Sequence, residues 1–245
     1  MTESHMTTDI LDPTPSPGLL ARFFGVITSP GETFKHVVRT PKIAGMLFII
    51  SLGMGLATGI PQFTERGKAA AFEMQVRQIE GFTGQPLSDE AYEQMRQNSQ
   101  GNLGAYSSIV GSLVGVPFMA VVISAVFWAL FNTVMGGTAT FKQVMAVVVH
   151  SQVISLLGTI IAAPIMYARG VMSATGVANL GALIPMDETT LVARFFGMID
   201  LFLIWWIAVL AIGLAVLYKR SAGGVATGLY IFYALLALGL AYFLG

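Results

Sequence analysis

The sequence predicts an all-α fold: a polytopic transmembrane helical bundle of about five spans, with an N-terminal interfacial helix and an extracytoplasmic helical hairpin. Three observations predict it. Hydrophobic residues make up 55% of the 245 positions and charged residues only 11%, against ~25% charged in a typical soluble domain. Second, the mean hydropathy is +0.73. Third, five long stretches carry no Asp, Glu, Lys or Arg: Ile43–Thr64, Gln97–Phe141, Gln143–Ala168, Leu201–Tyr218 and Ser221–Gly245. A span needs about 20 mostly apolar residues to cross a ~30 Å hydrocarbon core. Lipid offers the backbone no hydrogen-bond partner, so each such span must be a helix.

In chain order, residues 1–18 (MTESHMTTDILDPTPSPG) are polar and acidic. No basic leader precedes an apolar core, so this is not read as a signal peptide, and insertion is expected to rest on internal spans. The Thr/Pro/Ser-rich stretch Asp12–Gly18 reads as the end of a disordered tail. Residues 19–41 form an interfacial amphipathic segment. Leu19, Leu20, Phe23, Phe24 and Ile27 make an apolar stripe at helical spacing, Pro30 and Gly31 interrupt it, and Phe34, Val37 and Val38 begin a second. Two placements fit: helices lying in the membrane interface, or helices packed on the underside of the bundle. Arg22, Lys35, Arg39 and Lys42 are candidate lipid-headgroup contacts, each worth roughly 1 kcal/mol near an anionic surface.

The membrane domain occupies 42–245, with spans expected near 43–63, 106–135, 143–168, 198–218 and 223–244. Gln97–Gly104 is polar and glycine-rich, so the long second gap is read as one span ending at the Gly136–Gly137 turn. The fourth gap is short and is extended back through Ile199, Met198 and Gly197, leaving Asp200 just inside the boundary. The polar hairpin covers 64–104. Glu65–Glu80 is helical by pattern, with Phe72, Val76 and Ile79 on one face. Gly81, Gly84 and Pro86 break it, and Ser88 caps a second helix whose first turn holds Asp89 and Glu90. This hairpin is too small for a core of its own. It reads either as a solvated loop resting on the bundle or as a partner-docking element.

Five spans put the termini on opposite sides. The short connections around Lys142 and Lys219–Arg220 carry base and no acid, which favours the cytoplasm for that side. The chain is therefore expected in the cell (inner) membrane as a multi-pass protein, N-terminus cytoplasmic and C-terminus extracytoplasmic.

Composition also narrows the chemistry. Net charge is zero and there is no cysteine, so no bulk field attracts nucleic acid and thiol catalysis, disulfides and cysteine metal sites are excluded. No HExxH, GxSxG, Walker or CxxC pattern occurs. No cofactor, metal or catalytic residue is expected. Gly55–Gly59, Gly111–Gly115 and Gly224–Gly228 have the spacing that lets membrane helices approach closely. Pro61, Pro117 and Pro164 lie in three spans, where they bend helices or free carbonyls. Asn132, His150, Gln152 and Asp200 are polar positions within spans. Ionisable groups there are costly and often functional, so Asn132, His150 and Asp200 are the candidate functional positions. His150 reads alternatively as a hydrogen-bonded bundle residue and Asp200 as a cap or ion-pair member beside Arg194 or Arg169. Counting residues from Lys142 and Lys219 puts His150 and Asp200 about 16 Å apart along the membrane normal, too far for contact. ARFFGVI at Ala21–Ile27 recurs as ARFFGMI at Ala193–Ile199 with unrelated flanks, which reads as two similar environments rather than a repeat.

The arrangement resembles the Yip-one domain family of five-span membrane proteins, the Rab-interacting-protein type, and is most similar to its bacterial branch. The resemblance runs from about Leu19 to Gly245. It is carried by the N-terminal segment with Pro30, Phe34 and Pro41, by GGTATFKQ at Gly136–Gln143, and by His150–Ser151. The most specific stretch is FGMIDLFLIWWIAVLAIGL at Phe196–Leu214, with Asp200, Phe202, Trp205 and Gly213. It implies the fold, the topology and a membrane protein that is not an enzyme. Eukaryotic members are implied in membrane traffic, Rab binding and membrane shaping, but they have a long cytoplasmic N-terminal region that this chain does not match. The expected function is a non-enzymatic scaffold or adaptor organising lipids, a membrane-protein partner or a homo-oligomer. The alternative is a small-solute or ion transporter using Asp200 and His150.

Overall fold

The computed structural model describes residues 17–172, 177–182 and 190–243. The tail expected at 1–18 therefore lies almost entirely outside the described residues. Among the described residues, eleven α-helices run α1 Leu19–Thr28, α2 Pro30–Arg39, α3 Ala44–Gly59, α4 Glu65–Thr83, α5 Asp89–Ser99, α6 Leu103–Ala129, α7 Phe141–Ser151, α8 Val153–Arg169, α9 Leu191–Met198, α10 Leu201–Tyr218 and α11 Ala222–Phe243. Among the described residues the β structure is a single bridge between Asn179 and Asp200. Five helical segments are long and apolar enough to cross a membrane: Ala44–Phe63, Leu103–Val134, Phe141–Arg169, Leu201–Tyr218 and Ala222–Phe243.

The first segment ends in a 3-10 turn at Ile60–Phe63 that starts with Pro61 in its first turn, where a missing N–H is harmless. The second ends in a π turn at Leu130–Val134, followed by Gly136 at φ +69°, a left-handed value suited to glycine. The third runs as one span through α7 and α8, with Gln152 between them at φ −63° and ψ −10°, still helical. The fourth is shorter than the sequence suggested. Asp200 turns extended and caps α10, so Leu191–Met198 forms a separate helix rather than an extension of the span.

Apolar lipid supplies no hydrophobic drive between spans, so close backbone approach and interhelical hydrogen bonds carry more of the packing. α3 lies along α6 with Gly55 and Gly59 at the seam. A Cβ on Gly55 would sit 3.0 Å from the Ile109 backbone, and one on Gly59 would sit 2.9 Å from the Ala105 carbonyl. α7 is the centre of the bundle: Val144, Ala146, Val147, Val148 and Val149 are fully buried among α1, α2, α3, α6, α8 and α10. α10 packs on α2, α7, α8 and α11. α11 and the outer side of α6 form the periphery, exposing Val114, Phe118, Phe232 and Leu235.

The N-terminal segment is packed and exposed at once. Val26, Phe34 and Val37 are fully buried, while Leu20 and Phe24 face outward. Ser29 precedes Pro30, a position that disfavours helical backbone, so α1 ends and α2 begins with Pro30 as its first residue. Phe34 reaches the spans: a Cβ on Gly213 of α10 would meet its ring at 3.1 Å. At the opposite end, α4 and α5 make the expected polar hairpin. Here α4 continues through Gly81 to Thr83 and stops at Gly84, whose φ of +67° closes the helix. Ser88 accepts the Ala91 N–H as the cap of α5.

Candidate functional site

α1 and α7 bring together the first pair of polar side chains. His150 is fully buried near the end of α7. Its Nδ1 lies 2.8 Å from the Ala146 carbonyl oxygen. A carbonyl only accepts, so Nδ1 carries the proton and Nε2 presents a lone pair. Arg22 Nη1 donates to that lone pair at 3.3 Å and to the Lys42 carbonyl at 3.0 Å. Arg22 is 8% exposed, and burial lowers its proton affinity from the ordinary value, although an arginine stays charged. Its Nε is buried without a hydrogen-bond partner. Of the four cations expected at headgroups, Arg22 thus turns inward, while Lys35, Arg39 and Lys42 remain exposed. The reason is registry: Arg22 lies one turn before the buried Val26, on the inward face of α1. The stripe read from the sequence ran through Leu20 and Phe24 instead, which face outward, so neither this inward face nor the partner at His150 was anticipated.

Asn132 serves a second junction. Its Nδ2 donates to the Ala139 carbonyl at 2.7 Å, and its Oδ1 accepts from the Tyr218 hydroxyl at 2.9 Å. The same Ala139 carbonyl takes the Trp128 indole N–H at 3.0 Å. Tyr218 stacks on Phe131 at 4.8 Å. A Cβ on Gly137 would lie 2.5 Å from the Tyr218 ring, so only glycine fits there. Thr140 and Gln143 form a reciprocal cap on α7, and Gln143 Nε2 donates to the Val38 carbonyl at 3.1 Å. The run GGTATFKQ is thereby accounted for as the joint between α6, α7, α10 and α2.

Asp200 stands apart from both. Its Oδ1 accepts the Phe202 and Leu203 N–H groups at 2.8 and 3.2 Å, neutralising donors that the first turn of α10 leaves open. Neither Arg169 nor Arg194 forms an ion pair with it among the described residues. Gln152 lies between α7 and α8, with its Oε1 buried and unpartnered.

Asp200 does border a cavity of about 610 Å³ at the hairpin end, walled by α3, α4, α8, α10 and α11. Small residues make the room: Ala57, Gly67, Gly158, Ala162, Ala163 and Ala237 all line it. Arg66 lies at its edge, with Nη2 donating to the Ala168 carbonyl at 2.5 Å and the guanidinium 5.8 Å above the Tyr167 ring. No group of three or more His, Cys or acidic side chains suited to a metal occurs among the described residues.

Five apolar spans, joined by short buried polar contacts, define a polytopic α-helical membrane protein. The chain belongs to the Yip1 domain family, whose model matches residues 24–244. It is similar to Membrane protein YknW of Bacillus subtilis (strain 168), with 23% identity over 206 residues, covering 82% of this chain and 78% of that protein. No solved structure matches it.

Proposed function

We propose that this protein is a non-enzymatic scaffold or adaptor of the cell membrane, with its N-terminal face in the cytoplasm, that organises a membrane-protein partner or lipids. The observation that carries this reading is the state of the polar span residues. Asn132, His150 and Asp200 each hydrogen-bond within the protein and serve helix junctions. Groups so engaged are poor carriers for a solute or proton and good clamps for a fixed shape. The outward faces of α6 and α11 and the protruding α4–α5 hairpin, with Phe82 90% exposed at its end, are the surfaces that such an adaptor would offer. The exposed Lys35, Arg39 and Lys42 suit anionic headgroups.

The test is a partner census. A tagged copy is cross-linked in its native membrane and gently solubilised, and its co-purifying proteins are identified by mass spectrometry. A reproducible stoichiometric partner is expected, and deleting 68–100 should remove it while leaving membrane insertion intact. Purification without any partner, together with a proteoliposome flux lowered by Asp200→Asn and His150→Ala, would overturn the reading in favour of transport.

A further inference from the structure

The cavity beside Asp200 is elongated, and its charged lining residues lie at one end. On α8 its wall runs from Tyr167, near the end of the helix, to Ser155. That is twelve residues, or about 18 Å at 1.5 Å per residue. One leaflet of a bilayer has about 15 Å of hydrocarbon, half of the ~30 Å core. The slot therefore spans one leaflet, from the level of the helix ends toward the middle of the third span. Its charged lining residues, Arg66 and Asp200, both lie at the helix-end level: Arg66 in the first turn of α4, Asp200 at the cap of α10. Below them the walls are mainly apolar, with Leu203, Ala163, Leu236 and Leu240 among them. The volume, about 610 Å³, falls in the ~300–1,000 Å³ range of small-molecule sites.

The two rim charges differ in availability. The Asp200 carboxylate is turned toward the first N–H groups of α10. Arg66 spends one N–H on the Ala168 carbonyl, and a guanidinium has five. The rim charges balance, but Arg66 keeps N–H donors to offer above an apolar slot of leaflet depth. From this geometry we infer that the slot holds one acyl chain of a phospholipid whose anionic headgroup rests against Arg66. The inference does not rest on the adaptor reading, since one bound lipid would suit either an adaptor or a transporter, and its test fails separately from the partner census.

The experiment uses the full chain in nanodiscs with phosphatidylglycerol bearing a photoreactive group on its acyl chain. Label should concentrate on α8 between 155 and 167 and on the facing part of α11. Unlabelled phosphatidylglycerol should displace it about fivefold better than phosphatidylcholine, the factor one near-surface cation gives an anionic headgroup. Arg66→Gln should abolish that preference while the chain label persists, and Ala163→Phe should fill the slot and remove the label. The displacement arm uses the unaltered chain, so it stands whether or not Ala163→Phe folds. Label spread evenly over the outward faces of α6 and α11, or not displaced by either lipid, would overturn the site. Equal displacement by both lipids would overturn the anionic headgroup.

Discussion

Arg22 and His150 make an unequal pair. The guanidinium is charged and buried without a carboxylate, held by one imidazole lone pair and one carbonyl. Removing His150 leaves a buried cation short of one of its two partners, whereas removing Arg22 leaves two neutral acceptors unmet. Each single variant, His150→Leu and Arg22→Leu, is therefore expected to lower stability by about 1–3 kcal/mol, with His150→Leu toward the upper end because the group it strands is charged. The double variant should be more stable than His150→Leu alone. Unfolding in mixed detergent micelles measures all three, and equal single losses that simply add would show an uncoupled pair. His150 was legible as a polar residue inside a span because no charge lies near it in sequence. Arg22 was grouped with the exposed cations because composition near an interface does not say which way a side chain turns.

Helix pairing was the least legible level. Gly55–Gly59, Gly111–Gly115 and Gly224–Gly228 share one spacing, yet only the first pair lies at the α3–α6 seam, while Gly111 and Gly115 face open space. Spacing marks a face that permits close approach, and only the third dimension says whether a neighbour uses it. Gly55→Leu is accordingly expected to destabilise by about 1–3 kcal/mol through overpacking against the Ile109 backbone. Gly111→Leu should stay within about 0.5 kcal/mol of the parent. Thermal melting in detergent distinguishes them, and equal losses would mean that the outward face of α6 is also packed. The two ARFFG copies end as short helices, α1 and α9, each with its adjacent phenylalanines edge to face at 5.4 and 5.6 Å. They sit at opposite ends of the bundle, and their surroundings differ: α1 buries Arg22 and Val26, whereas α9 buries none of its residues.

At the scale of the molecule, the charge-free gaps located all five spans, because excluding charge is a demand of the bilayer itself. They missed the break at Ile199–Asp200, where the Asp200 cap rather than hydropathy decides. The sidedness proposed above is open to a direct test, since the chain has no cysteine. Thr138→Cys, in the α6–α7 connection, should resist a membrane-impermeant maleimide in intact cells, and Gln85→Cys, in the hairpin, should react. The reverse pattern would invert the topology.

The contact between Arg22 and His150 also sets an order of assembly. The two residues are 128 positions apart, and His150 belongs to the third span. At ~5–20 residues per second, synthesis alone separates them by roughly 6–25 seconds. Throughout that interval the imidazole has not been made, so α1 can meet α2 and α3 but cannot close its contact with α7. The Arg22–His150 contact therefore closes only once the third span has been made, which leaves the first helix unfinished in its packing until then.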